Sequence, residues 1–367
     1  MCIELRDYGF THEEFFAAEN FLNQIKSDNE NFIPGRVIEI RRNMYKVISR
    51  YGEVPAELGG GFYHSLRSGE EFPVTGDFVI LKYNPDGSSL ISGLLPRRSK
   101  FSRTDFGGHA EGYVKNIREQ VTAANFDYVF ILSSLNHDFN INRIARYLTA
   151  SWQSGAFPVV VLSKRDLCDD PGSKEAETRK IAKNVPVISV SAKTGDGLDA
   201  LAPFLEPGKT IVFLGSSGVG KSSLLNTLAG ETVMDVKNIR GNDSKGRHTT
   251  THRQLFRLPS GTLVIDTPGL RELGLWDSRE GMSLAFAELE ELFSRCRFSD
   301  CTHRSEPGCA VLAALADGSL SPEQWKNYQI QRKETAFVEQ HSSYLKQKKE
   351  IQKTIARNVR QIMKKET

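Results

Sequence analysis

The sequence lacks long apolar runs and a strong net charge. None of its 367 residues fall in a segment long and apolar enough to cross a bilayer. The acids Glu4, Asp7 and Glu13 interrupt any apolar stretch that could serve as an N-terminal signal peptide. These absences predict a cytoplasmic protein without a membrane partner. The formal net charge is only +3, so the overall charge identifies no ligand class.

The few excess charges are unevenly distributed along the chain. Residues 1–30 carry seven acids and two bases, whereas residues 345–367 carry eight bases and two acids. Within this basic tail Ile351, Ile355 and Val359 recur at helical spacing. Two interpretations fit such a helix. It packs on the body of the protein and faces a polyanion such as RNA, or it is a solvated terminus.

Cysteine is scarce, and its positions favour a metal site. Three of the five cysteines fall in one window with a histidine, in the pattern Cys-x₄-Cys-x-His-x₅-Cys. Thiolates and imidazole suit tetrahedral Zn²⁺, and four protein ligands leave no open position for water or substrate. The pattern therefore predicts one structural zinc ion, with reduced thiols beside an unrelated histidine as the alternative. The expected ligands are Cys296, Cys301, His303 and Cys309.

One glycine-rich segment has the pattern G-x-x-x-x-G-K-[ST] of a phosphate-binding loop. It lies between the apolar run 211–214 and a helix-like stretch, 222–228, which is the context that the motif requires. Lys221 would reach the β and γ phosphates, and the Ser222 hydroxyl would bind Mg²⁺. The predicted contacts are Gly215, Ser216, Ser217, Gly218, Val219, Gly220, Lys221, Ser222 and Ser223.

A second phosphate motif follows this loop. The apolar residues 263–265 run into Asp266-Thr267-Pro268-Gly269. Asp266 is placed to hold Mg²⁺ through water, and the Gly269 N–H to face the γ-phosphate. The two motifs together predict a nucleoside triphosphate site with Mg²⁺.

The best candidates for base recognition lie upstream of these motifs, whereas GTPases normally place them downstream. Both follow apolar runs, at 159–162 and 187–190. Asp166 would accept from guanine N1–H and its amine, Lys164 would lie along the base, and the Ala192 N–H would face O6. The order indicates a circularly permuted GTPase, although Lys-x-Asp is also common in ordinary turns. The predicted base-reading residues are Ser163, Lys164, Arg165, Asp166, Ser191, Ala192 and Lys193.

Ser163 departs from the usual base-reading motif. Asn is usual at this position, where it contacts guanine N7 and braces the phosphate loop. The shorter Ser163 therefore predicts reduced affinity or selectivity for guanine.

The residue patterns in the rest of the sequence predict a multidomain α/β protein. A capping-box pattern at 11–14 starts an amphipathic helix, and short β-like runs with turn signals between about 35 and 96 predict a small barrel. Bases interleaved with Tyr45 over 36–50 fit either an oligonucleotide-binding barrel or a solvated strand face. The expected domains are a helical extension (1–30), an OB-fold-like barrel (31–100), a circularly permuted P-loop GTPase domain (118–277) and a helical zinc-binding domain with a basic tail (278–367).

The permuted motifs, the barrel and the cysteine–histidine cluster together resemble the ribosome small subunit-dependent GTPase A family. Similar segments are 95–103 (LPRRSKFSR), 119–125 (EQVTAAN) and 246–251 (GRHTTT), and the likeness covers nearly the whole chain from about residue 31. The resemblance implies a monomeric GTPase that alternates between GTP and GDP. It also implies hydrolysis coupled to late maturation of the small ribosomal subunit, with rRNA contacts from the barrel and the zinc-bearing domain.

The catalytic machinery lacks one usual side chain. Many GTPases place Gln after the Asp-x-x-Gly motif to orient water, but Leu270 stands there, which predicts slow hydrolysis by the chain alone. His248 is the nearest titratable candidate, or else a surface residue that orders on RNA. Thr250 is the expected Mg²⁺ ligand, with Thr249 and Thr251 as alternatives. The expected catalytic set is Lys221, His248, Thr250, Asp266 and Gly269.

The same absence of a water-positioning side chain also fits a protein of another class. A non-catalytic, guanine-nucleotide-gated RNA-binding switch needs GTP only to order its loops. An enzyme acting on RNA is disfavoured, because no second catalytic constellation accompanies the basic segments. Gly218 offers no side-chain oxygen where potassium-dependent relatives place Asn, so potassium activation is not expected.

Overall fold

The computed structural model describes residues 3–24, 31–41, 44–66, 72–105, 118–233, 253–266 and 279–336. The chain forms two compact units, Met1–Ser102 with Val121–Leu273, and Arg103–Gln120 with Gly274–Thr367. Within the described ranges, no helix is long and apolar enough to cross a membrane.

The first unit starts with a 3₁₀ helix, Leu5–Tyr8, and helix α1, His12–Gln24. The predicted capping box is present, because the Glu14 carboxylate accepts from the Thr11 backbone N–H at 2.7 Å and from its hydroxyl. The helix packs on the barrel that follows. Phe21 lies so close to Gly93 that a Cβ there would come within 2.1 Å of the ring. Any larger residue at Gly93 would displace α1.

A closed barrel of five strands follows α1. Each strand pairs with two neighbours in the order β1-β2-β3-β5-β4, and β4 returns to β1. The β3–β5 pair is parallel, and a helix separates β3 from β4. This closure confirms the OB-like barrel. The elements are β1 (Phe32–Arg41), β2 (Met44–Ser49), β3 (Gly52–Leu58), α2 (Gly60–Ser65), β4 (Phe78–Lys82) and β5 (Ser89–Leu94).

Strand β3 has no counterpart among the β-like runs in the sequence. Its segment GEVPAEL contains Gly, Pro and two Glu, which all disfavour strands. The strand forms because Val54 and Ala56 alternate into the barrel core while their neighbours face outward. Two small apolar residues are too weak a pattern to read without their partners.

The GTPase sheet is the other part of the first unit. Five parallel strands and one antiparallel strand, β12, run in the order β10-β9-β8-β11-β13-β12. Its central strands are nearly all apolar because helices cover both faces. A separate two-stranded sheet pairs β6 (Lys100–Asp105) with β7 (Arg118–Ala124). The strands are β8 (Tyr128–Ser134), β9 (Phe157–Ser163), β10 (Val187–Ser189), β11 (Thr210–Leu214), β12 (Gln254–Arg257) and β13 (Leu263–Asp266), and the helices are α3 (Ile141–Gln153), α4 (Pro171–Ile181) and α5 (Lys221–Ala229).

The barrel and the GTPase sheet are hydrogen-bonded to each other. Strand β1 pairs with β12 through Glu39 and Gln254, so both form one 11-stranded sheet. A second link joins the Thr75 hydroxyl to the Arg253 carbonyl at 3.3 Å. The strand that enters the sheet at residue 254 is therefore attached to the barrel at two points.

Arg36 lies buried where these parts meet, with no exposed surface. Burial and the nearby positive charge of Arg98 lower the pKa of Arg36 to about 9. The sequence grouped Arg36 with bases on a nucleic-acid-binding or solvated strand face, and both interpretations are wrong for this residue. All three nitrogens of its guanidinium donate hydrogen bonds instead. The acceptors are the carbonyls of Tyr8, Gly76 and Asn125 and the hydroxyl of Thr210, at 2.8, 3.0, 2.6 and 3.0 Å.

Between residues 279 and 336 the second unit is mainly helical. Its elements are α6 (Arg279–Ala285), α7 (Ala287–Ser294), α8 (Ala310–Ala316) and further helical residues at 322–336. Its core packs apolar side chains around three of the predicted metal ligands. The buried members are Met282, Phe286, Leu289, Cys309, Val311, Ala314, Leu320 and Tyr328, with Cys296, Cys301 and Trp325 packed against them.

Candidate functional site

The glycine-rich loop lies between the end of β11 and the start of α5, as predicted. Gly218 and Gly220 have φ of 75° and 99°, which favours glycine, and a Cβ on Gly215 would lie 2.6 Å from the Leu132 carbonyl. The loop curls around the Lys221 amine, which donates to the carbonyls of Gly215 and Ser216, both at 2.7 Å. The loop therefore holds its lysine at the N-terminus of α5.

Ser163 contacts the phosphate loop from the neighbouring strand end. It is 5% exposed, and its hydroxyl donates to the Val219 carbonyl. The bracing contact expected of the usual Asn is thus made by a shorter side chain. The effect of Ser163 on guanine selectivity stays a prediction.

The two upstream motifs come together at the carboxyl ends of β9 and β10. The Ser191 hydroxyl donates to the Asp166 carboxylate at 2.7 Å, and the Thr227 hydroxyl of α5 donates to the Ala192 carbonyl at 3.1 Å. Lys164 has a left-handed backbone, with φ of 59°. Adjacent parallel strands end at one edge of a sheet, so these motifs and the phosphate loop share that edge.

Asp266 ends β13, directly beside the strand that leads into the phosphate loop. It is 8% exposed, and the register pairs Ile265 with Val212 of β11. Strand order therefore places this acid beside the loop. The other predicted catalytic residues, His248, Thr250 and Gly269, lie outside the described residues, as does Leu270.

Asp138 also lies at this edge and was not among the predicted site residues. It follows β8, and its carboxylate accepts from the Ser216 hydroxyl of the phosphate loop at 2.9 Å. It also accepts from the Arg143 guanidinium at 2.8 Å. No sequence motif marks an acid in this loop. Because β8 is the neighbour of β11, the loop after β8 must lie near the phosphate loop, and this adjacency could have predicted the contact.

The predicted metal ligands form one cluster in the second unit. One donor atom from each of Cys296, Cys301, His303 and Cys309 lies within 4.8 Å of the others. The Cys296 and Cys309 sulfurs are 4.0 Å apart, and each lies 3.5–3.6 Å from His303 Nδ1. With Zn–S bonds of about 2.3 Å, a tetrahedral site requires sulfurs about 3.8 Å apart. The four side chains therefore fit a zinc-sized ion.

The charge states around the cluster also fit a cation. Burial and the nearby Arg332 lower the pKa of His303, which favours the neutral imidazole that a metal requires. Burial and the neighbouring thiols of Cys309 and Cys296 raise the pKa of Cys301 to about 11. Closely packed thiols resist joint ionisation, and a divalent cation among them would supply the balancing charge.

Glu306 shapes the loop between the second and fourth ligands and was not predicted. Its carboxylate accepts from the backbone N–H groups of Thr302, Arg304 and Ser305 at 2.8, 2.9 and 3.0 Å. These bonds, with that from the Thr302 hydroxyl, hold the pKa of Glu306 well below its usual range. The carboxylate therefore fixes the turn that carries His303.

These features define a circularly permuted P-loop GTPase domain with an OB-like barrel and a three-cysteine, one-histidine cluster. Comparison with known proteins agrees. The RsgA GTPase domain matches residues 94–276, and a domain described as 50S ribosome-binding GTPase matches residues 210–353. The chain is 44% identical to Small ribosomal subunit biogenesis GTPase RsgA 1 of Listeria innocua serovar 6a, over 98% of both chains. The chain belongs to the RsgA GTPase family.

Solved structures share the fold. The crystal structure of YjeQ from Thermotoga maritima superposes with a TM-score of 0.61 at 27% identity, covering 83% of this chain and 99% of that one. YloQ, a circularly permuted GTPase, gives a TM-score of 0.59 at 23% identity over 84% and 96% of the two chains. The family match and the full-length relative confirm the GTP hydrolysis that the motifs predict, and the shared fold agrees with the permuted order.

Proposed function

We propose that this GTPase binds the small ribosomal subunit and couples GTP hydrolysis to a late step of its maturation, with the subunit stimulating hydrolysis. The observation that carries this proposal is the 44% identity, along 98% of the chain, to a small ribosomal subunit biogenesis GTPase. The domain named for the 50S ribosome covers only residues 210–353, so the full-length relative has greater weight. Such work on ribosomal subunits implies a monomeric, cytoplasmic protein that contacts rRNA.

We assign the nucleotide contacts from the geometry of the sheet edge. The backbone of 215–220 would receive the phosphates at the positive end of α5, and Lys221 would exchange its carbonyl acceptors for the β and γ phosphates. Ser222, Thr250 and, through water, Asp266 would hold Mg²⁺. Guanine would lie at the Asp166–Ser191 end of this edge.

For the second unit we propose one structural zinc ion on the three thiolates and His303. The donor separations and the neutral imidazole support this metal. We also propose the segments 1–30, 31–100, 118–277 and 278–367 as functional divisions of the chain. In this scheme the barrel and the basic tail face RNA.

Subunit-stimulated turnover tests the proposed function. Leu270 offers no group that positions water, so the chain alone should release phosphate slowly, and small subunits should raise turnover about 10²-fold or more by completing the site. Multiple-turnover phosphate release at low salt, with and without purified subunits, measures this. His248→Ala should spare both binding steps and suppress only the stimulated rate. Unchanged turnover with subunits would favour the non-catalytic switch.

Base recognition gives a second prediction. Asp166→Asn should weaken GTP binding by about 100-fold or more, because two charge-assisted hydrogen bonds are each worth about 1.5–3 kcal/mol. The amide should favour XTP, whose exocyclic oxygen accepts a hydrogen bond. Asp196→Asn is the matched control, because this acid lies near the same edge but pairs with Arg165 at 3.2 Å. Competition titrations with GTP, XTP and ATP measure the change. Equal native affinity for ATP and GTP would contradict the assignment.

A further inference from the structure

A carboxylate contacts the loop that is proposed to receive phosphate. Asp138 accepts from the Ser216 hydroxyl at 2.9 Å and from Arg143 at 2.8 Å. The Ser216 carbonyl in turn accepts from the Lys221 amine at 2.7 Å. One loop residue thus joins an acid on one side to the phosphate-binding lysine on the other.

The position of Asp138 is fixed by its own loop. Its backbone N–H donates to the Asn136 side chain at 3.1 Å, and that side chain also accepts from the Ser134 hydroxyl at 2.8 Å. Asn140 caps α3 by accepting from the Arg143 backbone N–H at 3.0 Å. Arg143 also donates to the Asp138 carbonyl. These bonds hold the carboxylate against the phosphate loop.

A negative charge here opposes the task of the loop. The nucleotide brings about four negative charges as GTP and about three as GDP, so a nearby carboxylate repels the triphosphate more. Arg143 offsets this repulsion. Its side chain is 26% exposed and that of Asp138 is 38% exposed, so the pair is only partly screened by water. The charge balance of this pair can therefore bias the loop between the two nucleotides.

We propose that Asp138 is a positioning residue that holds the phosphate loop through Ser216 and, with Arg143, sets the relative affinity for GTP and GDP. The inference rests on the proposed nucleotide site. The hydrogen bond to Ser216 keeps the loop in shape, and the charge lowers the affinity for the more highly charged nucleotide. Binding and release of GTP and GDP thereby become adjustable at a residue outside the recognised motifs.

The two roles of Asp138 separate in matched variants. Asp138→Asn keeps an acceptor for Ser216 but removes the charge. A non-hydrolysable GTP analogue should then bind about tenfold tighter, and the gain in affinity for GDP should be smaller. Ser216→Ala removes the hydrogen bond and keeps the charge, so the GTP/GDP affinity ratio should stay constant while kcat falls. Arg143→Gln should shift that ratio in the opposite direction. Asp86→Asn, an equal change of charge in the barrel turn after β4, is the control.

Titrations of the full-length protein with both nucleotides, at low and high salt, measure these ratios. The shift caused by Asp138→Asn should shrink as salt rises, which a purely structural role would not produce. Equal weakening of both nucleotides by Asp138→Asn and Asp138→Ala would overturn the inference, as would a shift of the same size from Asp86→Asn. Failure of the native protein to bind GTP would instead remove the proposed nucleotide site itself.

Discussion

Replacing Lys221 with alanine will reduce GTP turnover at least 100-fold and leave the fold intact. The amine supplies a point charge to the β and γ phosphates, where charge develops during phosphoryl transfer. The amine is only partly buried, and it donates to the loop carbonyls of Gly215 and Ser216. Those carbonyls sit at the open edge of the sheet and can turn to water. The loss should therefore appear in binding and hydrolysis rather than in stability.

Lys209→Ala is the matched control for this experiment. Lys209 precedes β11 at its opposite end, and its amine lies 3.6 Å from the Asp127 carboxylate with 42% of the side chain exposed. Phosphate release, nucleotide titration and thermal unfolding should be measured on both variants. A Lys221→Ala protein that turns over GTP at the native rate would show that the glycine-rich loop does not bind the triphosphate.

Replacing Cys301 and Cys309 together with serine should release the proposed zinc ion and unfold the segment from about 290 to 315. Structural zinc contributes about 10 kcal/mol or more to the folding of small domains, and half the ligand set would be gone. The core of the second unit packs directly around Cys296, Cys301 and Cys309, so loss of the ion removes support from α7 and α8. Nucleotide binding should survive, because the phosphate loop lies in the other unit.

Metal content by mass spectrometry and hydrogen exchange resolved by segment would measure these two effects. Cys168→Ser is the control, because Cys168 is a free thiol in the nucleotide-binding unit. Native protein without zinc, or unchanged protection of 290–315 in the double variant, would contradict the prediction. Loss of protection throughout β8–β11 would show instead that the two units fold as one.

The features that the sequence predicts are those with a local chemical signature. Gly218 and Gly220 are needed because the loop reverses through left-handed backbone, and the cysteine–histidine ligands fall within 14 residues of each other. The apolar runs that became β9, β11 and β13 reveal a sheet buried on both faces. Each of these signals is contained in a short window of sequence.

What the sequence does not reveal depends on distant partners. Asp138 and Ser216 are 78 positions apart, and Arg36 and Thr210 are 174 apart. Neither contact leaves a trace in composition or periodicity. The exposed-face interpretation of Arg36 was wrong because a buried guanidinium can be satisfied by backbone carbonyls, which no side-chain pattern records. Pairing of β1 with β12 is also not visible in the sequence, since the sequence of a strand does not specify which strand it pairs with or in which register.

The bonding of Arg36 has a consequence for how the chain matures during synthesis. Three of its four acceptors, on Tyr8, Asn125 and Thr210, lie outside the barrel segment 31–100. A barrel made only of residues 31–100 lacks most of the groups that cover and bond this guanidinium, so it should be less stable than the same barrel in the whole chain. In a chain synthesised from the N-terminus, the barrel should reach its full stability only after β11, the strand that leads to the phosphate loop, has been made. The barrel and the nucleotide-binding sheet should then become native in a single late event.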